Sequence, residues 1–490
     1  MTLNIVQVSS ECTPYAKTGG LADVVGALGP VLGRAGHRVV TVLPRYGSVN
    51  LHGLGVEHAG SVGLVVGGYR HDVHFLRLRR EHDTIVFLDH PLFTHRSGIY
   101  GDNGGSFGDN HLRFALLSRA AIEVARRVPI DGEPLGEDVI FHAHDWHAAL
   151  LPIQLESAYR TVGLFPGAGT VLTLHNLAHQ GRLPAAMFHD LELPPRWMQP
   201  WALEWHGDLC LLKGGILHAG RLTTVSPTYA REIQTRDGGF GLDSVLRHRS
   251  GDLVGVLNGI DAETWDPRSD LHLPAHFSVD DLAGKAVCKA TLQAELGLPV
   301  NAGVPLVGAV GRLDPQKGVE LLIDSIPWLV RRGAQVVVLG SAGPAHAQFE
   351  QSLRQLEAQF PRNVRAWIGF SEHVAHRIEA GADLFAMPSR FEPCGLNQMY
   401  SQAYGTLPVV RSTGGLVDTV RPPAYGREQA TGFRFDAYTA FGFRGALWEA
   451  LRTWKEDPNG FKHMQRNAMR IDNSWEARIP TYEAIYESTR

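Results

Sequence analysis

Residues 9–30 read SSECTPYAKTGGLADVVGALGP, and how they are read decides the fold. A short apolar run, Asn4-Ile5-Val6-Gln7-Val8, comes before them, and a helix-like run starts at Leu21. A lysine and two glycines, Lys17, Gly19 and Gly20, stand where that helix should begin. Two readings compete. The glycines can serve only a tight strand-to-helix turn. Alternatively the loop holds an anion: glycine lets backbone N–H groups approach a phosphate, the helix N-terminus adds a favourable partial charge, and Lys17 reaches it.

The same plan recurs around residue 304. VPLVGAVG (304–311) is followed by the loop RLDPQKG (312–318), the helix-like VELLIDSIPWLVRRG (319–333) and the apolar AQVVVLG (334–340). Each half therefore opens with a βαβ pattern, and short, continuously apolar strands suit a parallel sheet covered on both faces. Further runs of that kind are TIVFLDH, DVIFHAHD, GTVLTLHN and RLTTVSP in the first half, and VRAWIGF, DLFAMPS and TLPVVRS in the second. The fold class that follows is α/β, with two doubly wound Rossmann-like domains. The join falls in the turn-rich VLNGIDA (256–262), giving expected domains of 1–257 and 258–474. A closing helical segment, 475–490, is expected to pack back on the first domain, with a break or kink at Pro480. Doubly wound sheets bind ligands beyond the carboxyl ends of their strands, so two in tandem are expected to face one cleft.

Composition narrows the function. The chain has 490 residues, 44% of them apolar and 20% charged, as in an ordinary soluble globular protein. A net charge of -4 leaves no basic footprint for nucleic acid. No apolar run approaches the roughly 20 residues of a membrane helix, and no basic n-region precedes the first strand. Cys12, Cys210, Cys288 and Cys394 lie far apart and form no C-x-x-C pair, which points to a reducing cytoplasm.

Lys17 and Lys317 occupy equivalent loops. One such lysine is ordinarily a solvated surface residue; its repetition beside glycine at the same structural point favours anion binding. Later, SRFEPCGLNQMY (389–400) and RSTGGLVDTV (411–420) each place a tight loop between a strand and a helix. Two neighbouring helix starts beside the Glu392 carboxylate could hold a diphosphate and its sugar, although a loop acid and a Thr413-Gly414-Gly415 turn also have purely structural uses. FHAHDWH (141–147) puts His142 and His144 on one face of a strand, which a metal site could use. Packing and capping at a strand end are the stronger reading of these histidines, and no metal is expected.

The chain resembles bacterial glycogen synthases and plant starch synthases, retaining glucosyltransferases of the two-Rossmann, GT-B type. The likeness runs nearly end to end. It rests on KTGGLADVVGALGP at Lys17, HAHDWHAAL at His142, TLHNLAHQG at His175, TTVSPTYA at Thr223, LNGID at Asn258, RLDPQKG at Arg312, SRFEPCGLNQMY at Glu392 and STGGLVDTV at Thr413. The resemblance implies a glycosyltransferase of glycogen biosynthesis that moves glucose from ADP-glucose to the non-reducing 4-hydroxyl of an α-1,4-glucan. It implies no cofactor and no nucleic-acid or membrane partner.

It also implies roles for individual residues. His175, Asp145, Arg312, Lys317 and Glu392 are the expected catalytic set, with Arg312 and Lys317 on the diphosphate and Glu392 by the donor glucose. Lys17, Gly19, Gly20, Asp23, Asn176, Asn258, Phe370, Cys394, Gly395, Leu396, Thr413, Gly414 and Gly415 are expected to bind substrate. The chain departs from the family pattern at Gly311, His179, Phe370 and Asn397. Phe370, in GFSE, keeps a stacking surface but lacks the phenol hydroxyl of the commoner tyrosine. Asn397 replaces a common threonine, which puts a polar phosphate contact there in question. The rival readings are another enzyme of this architecture, such as a glucan phosphorylase or an epimerase, and a non-catalytic glucan- or nucleotide-binding protein.

Overall fold

The computed structural model describes residues 2–102, 105–426 and 428–490. The chain forms two compact units, one of Met1–Val225, Ala230–Val256 and Arg478–Arg490, the other of Ser226–Tyr229 and Leu257–Ala477.

The first unit is built on a sheet whose strand order is Leu253–Gly255, Arg221–Thr224, Gly169–Leu174, Ile140–His144, Asn4–Val8, Arg38–Pro44, Thr84–Asp89, Tyr69–Arg79, Glu57–Val66. The first seven pair in parallel. The opening strand lies at the centre, and the chain order reverses between Asn4–Val8 and Ile140–His144. That reversal is the switch point at which doubly wound sheets leave a crevice beyond their strand ends.

The last two strands are an antiparallel hairpin that a purely parallel reading misses. Gly67 (φ +61°) and Gly68 (φ +74°) make its turn. Two successive positive φ values twist a two-residue loop the way the strands twist, and glycine adopts them freely. A Gly-Gly pair between alternating strands was the local signal for it.

The second unit carries six parallel strands in the order Val364–Ile368, Gln335–Gly340, Leu306–Val310, Leu384–Met387, Leu407–Arg411, Phe433–Phe435. Helix Val319–Arg331 shows why both faces are covered. Val319, Leu322, Ile326 and Leu329 recur at helical spacing and bury against Val307, Val336 and Val338 of the sheet. The other face packs Val337, Leu339 and Phe385 against Val374 and Ile378 of helix Glu372–Gly381. This switch point lies between Leu306–Val310 and Leu384–Met387, so the loops after those two strands, RLDPQKG and SRFEP, rise side by side.

Pro480 does not break a helix. The last helix, Ile479–Glu487, begins one residue before it. Proline in a first turn gives up an N–H that would have had no partner there. Tyr482 and Tyr486 of this helix are buried, and the Tyr486 hydroxyl lies 2.9 Å from His142 Nδ1.

Candidate active site

In the first unit, the loop after the central strand is organised by Glu11, a residue that spacing does not single out. Its carboxylate accepts hydrogen bonds from the Thr18 hydroxyl at 2.7 Å and from the amides of Thr18 and Gly19, the latter at 3.1 Å. It also accepts the Tyr100 hydroxyl. Burial, then the Glu11 charge, raises the Tyr100 phenol well above its usual range, so it stays protonated and donates. Tyr100 in turn stacks on His147, with ring centres 4.6 Å apart.

The amide of Gly19, a residue expected to bind substrate, and that of Thr18 beside it are therefore taken by an internal carboxylate. Lys17 is half exposed and pairs with Asp23 at 2.6 Å. A Cβ on Gly19 or Gly20 would meet no atom within 4 Å, whereas one on Gly26 of the same helix would lie 2.1 Å from Thr13 Oγ1. Packing requires glycine at position 26. At 19 and 20 the bare backbone faces open space, which is where a ligand can approach closely.

Beside this loop, the strand Ile140–His144 ends at Asp145, which is buried and adopts φ +56°. One Asp145 oxygen accepts the His175 amide at 2.7 Å, so the carboxylate anchors the start of the loop that carries His175 and Asn176. Burial pushes the Asp145 carboxyl up to about 7, against the pull of the His175 and Asn176 amides. Burial works the other way on the imidazoles: it brings His142 and His175 down to about 3 and His144 and His147 well below their usual range. They are neutral at physiological pH. His142 is spent on Tyr486 and on Thr173 Oγ1 at 2.6 Å, while His144 Nδ1 lies 3.0 Å from His175 Nε2. Next to them a cavity of about 460 Å³ is lined by Trp146, His179, Arg182, Asn110 and Phe240.

In the second unit, the two loops of the switch point meet through one ion pair. Lys317 Nζ lies 2.7 Å from Glu392 Oε2, and Ser389 Oγ donates to the same oxygen at 3.0 Å. Asp314 caps the short turn Pro315–Lys317 by accepting the Lys317 amide at 3.1 Å, and Gly318 follows at φ +68°. A Cβ on Gly318 would lie 1.9 Å from the Pro388 carbonyl oxygen, so the loops touch as closely as they do only because residue 318 has no side chain. The Arg312 side chain is 60% exposed, with Asp314 as its ion-pair partner at 3.5 Å. Phe370 is 88% exposed at the start of the Glu372–Gly381 helix.

Other sites expected to bind substrate have internal work. The Gly415 amide donates to the Glu392 and Pro393 carbonyls at 3.2 and 3.1 Å, and a Cβ on Gly414 would lie 2.0 Å from the Glu392 oxygen. The Thr413-Gly414-Gly415 turn thus clamps the Glu392 loop from behind. Gly395 turns its loop at φ +76°, between Cys394, which is buried, and Leu396, which precedes helix Asn397–Ala403. Asn397 Nδ2 donates to the Val310 carbonyl at 2.7 Å and ties that helix to the strand before Arg312. Asn258 is buried, and its Oδ1 has no hydrogen-bond partner among the described residues.

A catalytic-domain model of starch synthase matches residues 4–248, and a glycosyl transferases group 1 model matches residues 297–470. A glycogen synthase from Anaeromyxobacter dehalogenans (strain 2CP-1) is 45% identical over 99% of both chains. The soluble starch synthase 1 of Oryza sativa subsp. indica is 43% identical over 99% of this chain and 78% of that protein. Among solved structures, the catalytic domain of starch synthase IV from Arabidopsis thaliana, bound to ADP and acarbose, superposes with a TM-score of 0.90 at 33% identity and covers 100% of this chain and 99% of that one. A sucrose-phosphate synthase from Thermosynechococcus elongatus, 18% identical with a TM-score of 0.62 over 99% of this chain and 98% of that one, shares the fold. With relatives above 40% identity along its whole length, the chain belongs to the starch synthase and bacterial glycogen synthase family of glycosyltransferases.

Proposed function

We propose that this enzyme is a cytoplasmic glycogen synthase that transfers glucose from ADP-glucose to the non-reducing 4-hydroxyl of an α-1,4-glucan with retention at the anomeric carbon. The observation that carries the reading is the Lys317–Glu392 pair at the switch point of the second unit, with the Arg312 guanidinium exposed beside it in sequence. A nucleoside diphosphate needs fixed positive charge, and a sugar turning cationic needs a nearby carboxylate. No described helix is long and apolar enough to cross a membrane.

In this reading Arg312 forks onto the phosphate oxygens and Lys317 supplies a compact charge. The acceptor 4-hydroxyl attacks C1 as the bond from C1 to the β-phosphate oxygen breaks. The electron pair of that bond leaves with ADP, and the hydroxyl proton passes to the departing phosphate on the same face. No strong protein base is then required. Glu392 steadies the ring as positive charge grows on it. Such preorganised charges commonly contribute about 10²–10³ in rate each. Phe370 offers its open face to the adenine. In the first unit, Lys17 with the uncluttered backbone at Gly19 and Gly20 binds substrate, and the cavity beside Trp146 and His179 takes the glucan.

The test is incubation of the purified chain with radiolabelled ADP-glucose and glycogen, beside UDP-glucose and beside glucose 1-phosphate. Label incorporated from ADP-glucose as α-1,4-linked glucose is the expected result. Incorporation from glucose 1-phosphate alone would make the protein a phosphorylase, and no incorporation from any donor would make it a binding protein.

A further inference from the structure

In the unit that carries the Lys317–Glu392 loops, three further residues bring metal-binding atoms together. One ligand atom each from Asp270, His272 and His376 lies within 4.8 Å of the other two. Among the described residues this is the one cluster of that kind.

Its hydrogen bonds are those of a prepared metal ligand. His376 is fully buried on helix Glu372–Gly381, and its Nδ1 lies 2.7 Å from Asp270 Oδ2. That oxygen also accepts the Tyr404 hydroxyl at 2.5 Å, while Asp270 Oδ1 accepts the His272 amide at 2.8 Å. Asp270 accepts from the Tyr404 hydroxyl and the His272 amide and stands as an acceptor toward His376 as well, so Nδ1 carries the proton and Nε2 keeps its lone pair. That Nε2 is buried with no hydrogen-bond partner among the described residues. Trp265 stacks on the ring at 3.8 Å and locks its plane. A carboxylate behind a histidine whose other nitrogen is free is the arrangement that orients imidazole toward a metal ion.

Ligands for the remaining positions are close by. The His272 ring centre is 4.6 Å from that of His376, and the exposed His373, one helical turn before His376, has its ring centre 5.6 Å from His272. We propose that His376 Nε2, His272 and His373 bind a divalent transition ion of the zinc class, with Asp270 holding His376 in place. Metal–nitrogen bonds of about 2.0–2.1 Å require the two outer rings, neither fully buried, to close inward. The ion ties the irregular segment around Asp270 to the first turns of a sheet-covering helix.

The experiment uses the untagged full chain, stripped with chelator and desalted, then titrated with Co²⁺. Visible absorption from a nitrogen-ligated ion should grow to one equivalent and be bleached by Zn²⁺. His272→Asn should weaken binding by about tenfold or more, His373→Asn by a smaller factor, and the control His74→Asn not at all. Zn²⁺ should raise the unfolding temperature of the wild type but not of His272→Asn, and both outer variants should melt like the wild type without metal. Absence of saturable Co²⁺ binding by the wild type, or binding that survives both His272→Asn and His373→Asn unchanged, overturns the site.

Discussion

Lys317 Nζ lies 2.7 Å from Glu392 Oε2, across 75 residues of sequence. In the free protein the lysine that should meet the diphosphate is held by the carboxylate that should meet the sugar. The pair leaves a mostly buried acid with its charge compensated, and holds both groups at one spot.

The two members should nonetheless separate in a variant test. Lys317→Ala should weaken ADP binding and slow turnover, because ADP alone carries the group that Lys317 touches. Glu392→Gln should leave ADP affinity nearly unchanged and lower kcat by about 10²-fold, equivalent to about 2.7 kcal/mol of transition-state stabilisation. Calorimetric ADP binding beside steady-state rates measures both. Weak ADP binding with normal turnover in Glu392→Gln would move that residue to the nucleotide.

The glycines should divide into two classes. Gly20→Ala adds a Cβ that meets nothing, at the first residue of a helix, so its melting temperature should match or slightly exceed the wild type. Its KM for ADP-glucose should rise several-fold. Gly414→Ala meets the Glu392 carbonyl at φ +46° and should lose about 3 kcal/mol or more of stability. Equal melting curves for the two variants would refute the distinction.

Opposite pH dependences meet at the end of strand Ile140–His144. Asp145, raised from 3.8 to about 7 by burial, favours the folded state below pH 4, and that contribution of at most about 4 kcal/mol disappears as pH rises through 7. His142 and His175, lowered from 6.5 to about 3, favour the fold above pH 6.5 and cease to do so as pH falls through 3. Asp145→Asn, whose side chain tolerates the positive φ, should therefore gain stability relative to wild type between pH 4 and 7. Urea midpoints at several pH values read this directly. A difference that stays constant with pH is the outcome that sinks it.

Tyr486→Phe removes the hydroxyl that meets His142 Nδ1. It should cost about 1–3 kcal/mol, the price of an orphaned buried nitrogen, with glucosyl transfer retained. Denaturant melts and the ADP-glucose assay on the same preparation check both halves.

What the sequence determined by itself was what depends on neighbours along the chain. The apolar runs at 4–8 and 306–310, the helix-spaced residues after Gly20 and Gly318, and the glycines that join them are local patterns, so both βαβ units and the placement of Arg312 and Lys317 at strand ends were legible. Tertiary structure decided what rests on contacts between distant segments. Only the fold brings Glu392 onto Lys317, spends the Gly415 amide on the Glu392 loop, and lets Glu11 claim the Thr18 and Gly19 amides before any phosphate can. Only burial turns the FHAHDWH histidines neutral and raises Asp145. A residue's charge state and hydrogen-bond partners are set by the water it has lost and the groups that replaced it, and residue spacing along the chain carries neither.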